Sequence, residues 1–286
     1  MASAPTSLLA WKSSNFPLSE NDAVQLHLSI RIAADGLYFL AHPPQHAATK
    51  VYSAYVPFEV PGVEGLKKAF YTEAFLAYPY ASTHIYLQES NSYLLLPQDI
   101  AHVAPESNWL QVVTSHQHMH LMSAPIPDMR TQLVYGVEEE MYQFCSRSFS
   151  YPRFGHRIIP FSGYAVQLAR QQHPKIMMAL IEGEVMDLIF AQNGTLQMAN
   201  RYNAKTATDR LYYLTSVWRL FGLNPEETPL YLFTSTPPEM DSLLATLQTQ
   251  IRHLHCHHYP TTQELAPYTK GNQTLPPVLI LNHLCV

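Results

Sequence analysis

Residues 175–208 read KIMMALIEGEVMDLIFAQNGTLQMANRYNAKTAT, and their punctuation decides how the chain is organised. An apolar run, Ile176 to Ile181, ends in the turn Glu182-Gly183-Glu184. A second run, Val185 to Ala191, ends in Asn193-Gly194, the pair that fits a two-residue hairpin because both positions tolerate positive φ. A third strand follows to Asn203. Thr206, with Asp209 three residues on, is a variant of the capping box that opens a helix. Leu211, Leu214, Trp218 and Phe221 then recur on one helical face, and Gly222 ends the helix. The segment predicts strand, strand, strand, helix.

About half a chain earlier the same order recurs. Leu26 to Ile32 alternates apolar and polar side chains, Asp35-Gly36 supplies a hairpin turn, Leu37 to Ala41 returns, and Lys50 to Pro57 is rich in Tyr and Val. A helix is predicted over 63–78, stopped by Pro79, followed by strands at 83–87 and 93–96. Residues 104–130 give the weakest pattern. Beyond them the sequence predicts a strand at 133–137, a helix over 138–149, a short strand at 157–159 and a helix over 162–172. After the quoted stretch come a buried strand, 229–234, and a helix over 239–251 with Leu243, Leu244, Leu247 and Ile251 inward. Short strands alternating with helices predict an α/β protein with mixed sheets. The expected division is a loose lead-in at 1–23, units at 24–130 and 131–258, and a Pro- and Thr-rich tail at 259–286.

Composition narrows the function classes. Hydrophobic residues make up 47% of the 286 positions, enough for packed cores. Charged residues are only 14%, while 18 Tyr, 22 Pro and 15 His shift the surface toward neutral and aromatic groups, as in a protein that sits against a partner. A net charge of −5 gives no electrostatic footprint for nucleic acid. No apolar run reaches the length of a membrane span, and the N-terminal MASAPTSLLAWKSSNF has neither the basic start nor the apolar core of a signal peptide. Cys145, Cys256 and Cys285 are odd in number and far apart, which fits reduced thiols and a cytoplasmic location.

Two motif sets carry a resemblance. Leu28-Ser-Ile-Arg-Ile-Ala-Ala-Asp-Gly-Leu-Tyr-Phe39 is the first; Asn193-Gly-Thr-Leu-Gln-Met-Ala-Asn-Arg-Tyr-Asn203 with Asp209-Arg-Leu-Tyr-Tyr-Leu214 is the second. Over most of 24–258 the chain resembles an uncharacterised Bacteroidetes family of unknown function with an actin-like ATPase fold. The resemblance implies duplicated actin-like (ribonuclease H-like) domains, each a mixed sheet with flanking helices. It also implies where nucleotide chemistry would sit. The first phosphate loop of the superfamily resembles Asp-x-Gly, and Arg31 and Ala33 stand at the matching positions; the second resembles Asp-x-Gly-x-Gly, matched by Leu180, Glu182 and Glu184. Acidic residues that would position Mg²⁺ or water are thus Arg and Leu, and glycines that let backbone N–H groups approach phosphate carry side chains. Two carboxylates at the second turn are expected to repel phosphate.

The sequence therefore predicts a non-catalytic, pseudo-ATPase member with no cofactor, acting as a protein-binding or assembly scaffold. A divergent ATPase or phosphotransferase is the alternative, and a His-ligated metal protein a third reading. His116, His118 and His120 would share one face of a strand, and His253, His255 and His257 fall in a second His-rich run. The first run has no acidic or Cys ligand nearby, and in the second the ligands crowd together and alternate faces, whereas structural zinc sites join separated ligand pairs. No Gly-x-Ser-x-Gly elbow or Gly-rich phosphate loop occurs, and Cys145 lies mid-helix beside Phe144. Tyr-rich segments in the first half nominate Tyr80 and Tyr86 as partner-binding anchors.

Overall fold

The computed structural model describes residues 18–33, 35–43, 52–87, 93–101, 109, 118–126, 131–234, 242–258, 276–279 and 281. In chain order the strands are β1 (His27–Ile32), β2 (Gly36–His42), β3 (Tyr52–Pro57), β4 (Ser82–Tyr86), β5 (Tyr93–Pro97), β6 (Met119–Pro125), β7 (Thr131–Glu138), β8 (Pro152–Gly155), β9 (Lys175–Glu182), β10 (Val185–Gln192), β11 (Thr195–Asn203), β12 (Leu230–Thr234) and β13 (Leu254–His258). The longer helices are α1 (Val63–Thr72), α2 (Glu139–Ser148), α3 (Ile158–Gln171), α4 (Ala207–Leu220) and α5 (Ser242–Gln250).

Two five-stranded sheets share one topology. The first has the order β3-β2-β1-β4-β8 and the second β11-β10-β9-β12-β13. In each, the first three strands form an antiparallel meander and the last two run parallel to the first. The fold is a duplication, as the paired strand openings predict. A third, antiparallel sheet, β5-β7-β6, is inserted between β4 and β8. Strands β7 and β8, grouped by the sequence with the second unit, pair with strands of the first: β7 with β5 and β6, and β8 with β4.

The second sheet is covered on both faces, so its central strands are apolar throughout rather than alternating. Met177, Ala179, Ile181, Leu188 and Phe190 face a core shared with α4 and α5. Ile176, Met178, Leu180, Ile189 and Ala191 face the opposite way, into a larger core that also holds α3 and the first sheet. Nine of the fourteen α3 residues are buried, since the helix is covered on more than one side. This helix replaces the strand expected at 157–159. Pro160 is its third residue, where a missing N–H costs nothing because the first-turn donors have no helical partner.

The helix expected over 63–78 breaks at Glu73, which is extended, and resumes as a single 3-10 turn at Ala74–Ala77. The Tyr80 hydroxyl donates to the Phe75 carbonyl at 2.7 Å, and its ring is only 1% exposed. Tyr86 is 3% exposed. Both tyrosines are therefore core residues, and neither is a surface anchor for a partner.

Candidate functional site

The turns that would carry phosphate face each other across the junction of the two sheets. Arg31, one residue from the end of β1, reaches Glu182 at the end of β9, a side-chain ion pair between residues 151 apart. Arg157, immediately before α3, binds the other Glu182 oxygen and extends its second nitrogen to Asp187 at 2.6 Å. Asp187 in turn accepts two bonds from Arg201, at 2.7 Å from Nε and 3.0 Å from Nη2. The result is a continuous chain, Arg31–Glu182–Arg157–Asp187–Arg201.

Strand register explains how the sequence assembles it. Asp187 on β10 lies directly opposite Leu180 on β9 and Arg201 on β11, so these side chains share a face, and Glu182 is two residues beyond Leu180 on that same face. Arg201 spreads over the Tyr93 ring at 5.6 Å, a cation–π contact that ties the inserted sheet to the second one. His156 packs 5.0 Å from both Tyr93 and Tyr135, and its Nδ1 accepts the Ile158 N–H at 3.2 Å, satisfying a first-turn donor of α3. That bond places the imidazole proton on Nε2 when the ring is neutral.

Burial sets the energetics. Asp187 is fully buried and the Arg157 side chain is 6% exposed, whereas Glu182 is 32% exposed. A buried carboxylate held by two guanidiniums is costly to strip of either partner. Three cations and two anions leave one net positive charge. The phosphate repulsion expected from Glu182 and Glu184 is thus not what this cleft presents. Glu182 is neutralised by two arginines, and Glu184 points to solvent beside Lys205 at 3.3 Å. Tyr38, opposite Arg31 on β2, has its hydroxyl pKa raised, chiefly by burial; Arg31 opposes the shift, and Asp35 and Glu182 add to it.

Of the five positions matched to phosphate loops, Arg31 and Glu182 meet. Leu180 is a buried core residue, and Ala33 closes the first turn by donating its N–H to the Gly36 carbonyl at 2.8 Å. Arg157, Asp187 and Arg201 were not singled out by sequence. Asp187 did carry a signal, as a lone carboxylate inside the apolar run VMDLIF. Pairing outward from Asn193-Gly194 would have set it opposite Asn200; a bulge between Phe190 and Ala191 shifts the register by one and brings Arg201 there instead.

The His candidates are dispersed. His116 lies outside the described residues. His118 is a positive-φ residue just before β6, and His120 pairs with Glu139 at 3.2 Å while stacking on Tyr142. His255 and His257 lie on one face of β13, stacked on Tyr231 and Phe233, and His253 is exposed in the preceding turn. Among the described residues, no three His, Cys, Asp or Glu side chains form a group able to hold a metal ion. Cys145 is buried, and burial pushes its thiol up to about 12. No described helix is long and apolar enough to cross a membrane.

Solved structures place this architecture. The chain is similar to a Bacteroides thetaiotaomicron protein of actin-like ATPase fold and unknown function, with 20% identity and a TM-score of 0.74, over 94% of this chain and 99% of that one. It is also similar to a chain of the PilM–PilN type IV pilus biogenesis complex, with 13% identity and a TM-score of 0.52, over 82% and 88%. At these identities the likeness establishes the fold, which is actin-like. No curated protein matches the chain in sequence. The model of the family described as "Protein of unknown function (DUF3822)" matches residues 16–254, and the chain belongs to that family.

Proposed function

We propose that this protein is a non-catalytic member of the actin-like fold, working in the cytoplasm as a protein-binding or assembly scaffold. One observation supports the reading: the Arg31–Glu182–Arg157–Asp187–Arg201 chain joins Arg31 and Glu182, two of the positions that the resemblance matches to the phosphate turns. A phosphate entering there competes with carboxylates already bound to all three guanidiniums that could receive it. The acidic and glycine positions that would hold Mg²⁺ and admit phosphate to backbone N–H groups are Arg31, Ala33, Leu180, Glu182 and Glu184. The similar chain of the PilM–PilN complex, solved with a protein partner, supports the scaffold half of the reading by analogy of fold.

The alternative, a divergent ATPase or phosphotransferase, is favoured by the single net positive charge of the ion-pair chain. Calorimetric titration separates the two. Under the proposal, neither ATP nor GTP binds saturably below the millimolar range, with or without Mg²⁺, and Glu182→Gln does not create such binding. Micromolar affinity in the native chain would overturn the proposal in favour of the enzyme. The scaffold half is tested by capture of partners on the full chain as bait; recovery of none from cells that natively encode it would overturn that half alone.

A further inference from the structure

On the far side of the second sheet from the cleft, α4 and α5 leave a cavity of about 160 Å³. Its walls are Leu214, Trp218, Leu247 and Ile251, all buried, and its rim includes the exposed Arg219 and Gln250. An engineered apolar cavity of about 150 Å³ holds a benzene ring, so the volume suits one ring or a branched aliphatic group. One donor in the lining, the Arg219 guanidinium, has no acceptor among the described residues. It makes no ion pair, and the Trp218 indole N–H, which is buried, has no hydrogen-bond partner either. Thr215, also in the lining, has its hydroxyl committed to the Leu211 carbonyl at 2.8 Å.

The rim lies at the C-terminal ends of α4 and α5, where the helix dipoles disfavour an anion, so the charge-assisted bond to Arg219 has to outweigh them. Leu223 N–H takes the Trp218 carbonyl at 3.0 Å and Gly222 N–H the Arg219 carbonyl at 3.1 Å, so the last turn sets no bare carbonyl from these residues at the rim. On the other side of the groove, α5 carries no charged residue, so no carboxylate from that helix competes for Arg219.

We infer that this pocket binds a small hydrophobic carboxylate, with its apolar body between α4 and α5 and its carboxylate on Arg219. An ammonium ligand is repelled by the same guanidinium, and a neutral one forgoes the charge-assisted bond. The inference does not rest on the scaffold reading, since cavity and cleft lie on opposite faces of the sheet.

The test uses the full chain with ¹⁵N-labelled tryptophan, the Trp218 indole signal being identified by its loss in Trp218→Phe. Phenylacetate should shift that signal saturably in the millimolar range, benzyl alcohol more weakly, and acetate not at all. Arg219→Gln, at an exposed position that leaves the core intact, should weaken phenylacetate on the order of tenfold. Arg252→Gln, which alters an exposed arginine already paired with Glu226, should leave it unchanged. No Trp218 response to phenylacetate would overturn the inference, as would equal affinity in Arg219→Gln or equal binding of benzyl alcohol.

Discussion

Asp187 and Glu182 look equivalent in the ion-pair chain, yet their surroundings separate them. Asp187 is fully buried between two guanidiniums, so Asp187→Ala leaves Arg157 and Arg201 short of their shared anion and should cost about 3–5 kcal/mol. Glu182 is one-third exposed, water can replace its contacts, and Glu182→Gln should cost about 1 kcal/mol or less. Urea unfolding of the two variants measures the order; an equal or reversed order would contradict this account of the cleft. His84 supplies a pH dependence. Burial, then Arg153, then His27 and His42 push its pKa down to about 4. Because the folded value lies below the unfolded one, the unfolded chain binds more protons between them. Stability from this residue is present above about pH 6.5 and is lost as pH falls through about 4. His27, lowered mainly by burial, has the same sign. His84→Gln should flatten the acid limb of stability against pH, and an unchanged slope would assign that limb to other groups.

Among the elements, α4 is the one whose ends were written locally. The Thr206 hydroxyl accepts the Asp209 N–H at 3.1 Å and the Asp209 carboxylate accepts the Thr206 N–H at 2.9 Å. At the other end Gly222, at φ 56°, lets Leu223 and Gly222 reach back to the last carbonyls. Thr206→Ala should lower stability by about 1 kcal/mol, and Gly222→Ala by a similar amount, since alanine resists positive φ. Thermal or urea unfolding that registers neither change would show that tertiary packing alone holds the helix. Elements of this kind were legible because capping and hairpin chemistry act over a few residues. Those that were not depend on distant partners. β13 reads LHCHH, with no β-branched residue, and becomes a strand by pairing in parallel with β12. α3 was obscured by Ile158-Ile159, which suit a strand, and by Pro160 in its first turn. Tyrosine is amphipathic, so the sequence did not distinguish the buried Tyr80 and Tyr86 from surface rings. Arg31 and Glu182 were legible as positions, but their meeting depends on how the two sheets come together.

At the scale of the whole molecule, the duplication suggests two units that could unfold separately, and the packing argues otherwise. Leu28 and Ile30 of the first sheet, Phe161 of α3, and Met178 and Phe233 of the second sheet belong to one apolar cluster. Phe161 meets Phe233 edge-on at 5.0 Å, and Val278, Leu279 and Leu281 join the same cluster from near the C-terminus. Separating the units would expose this core to water at about 25 cal/mol per Å² of apolar surface, besides breaking the Arg31–Glu182 pair. Among the described residues, the second core, between the second sheet and α4 and α5, has no such connection to the first sheet, yet it shares β9 and β10 with the cluster that does. Loss of either face of those strands therefore removes support from the other. Calorimetry should show a single transition whose calorimetric and van't Hoff enthalpies agree, although chains of this size and topology often unfold in steps. Two resolved transitions, or fluorescence and circular dichroism midpoints that separate, would mean that the junction is a docking surface between autonomous units rather than a common core.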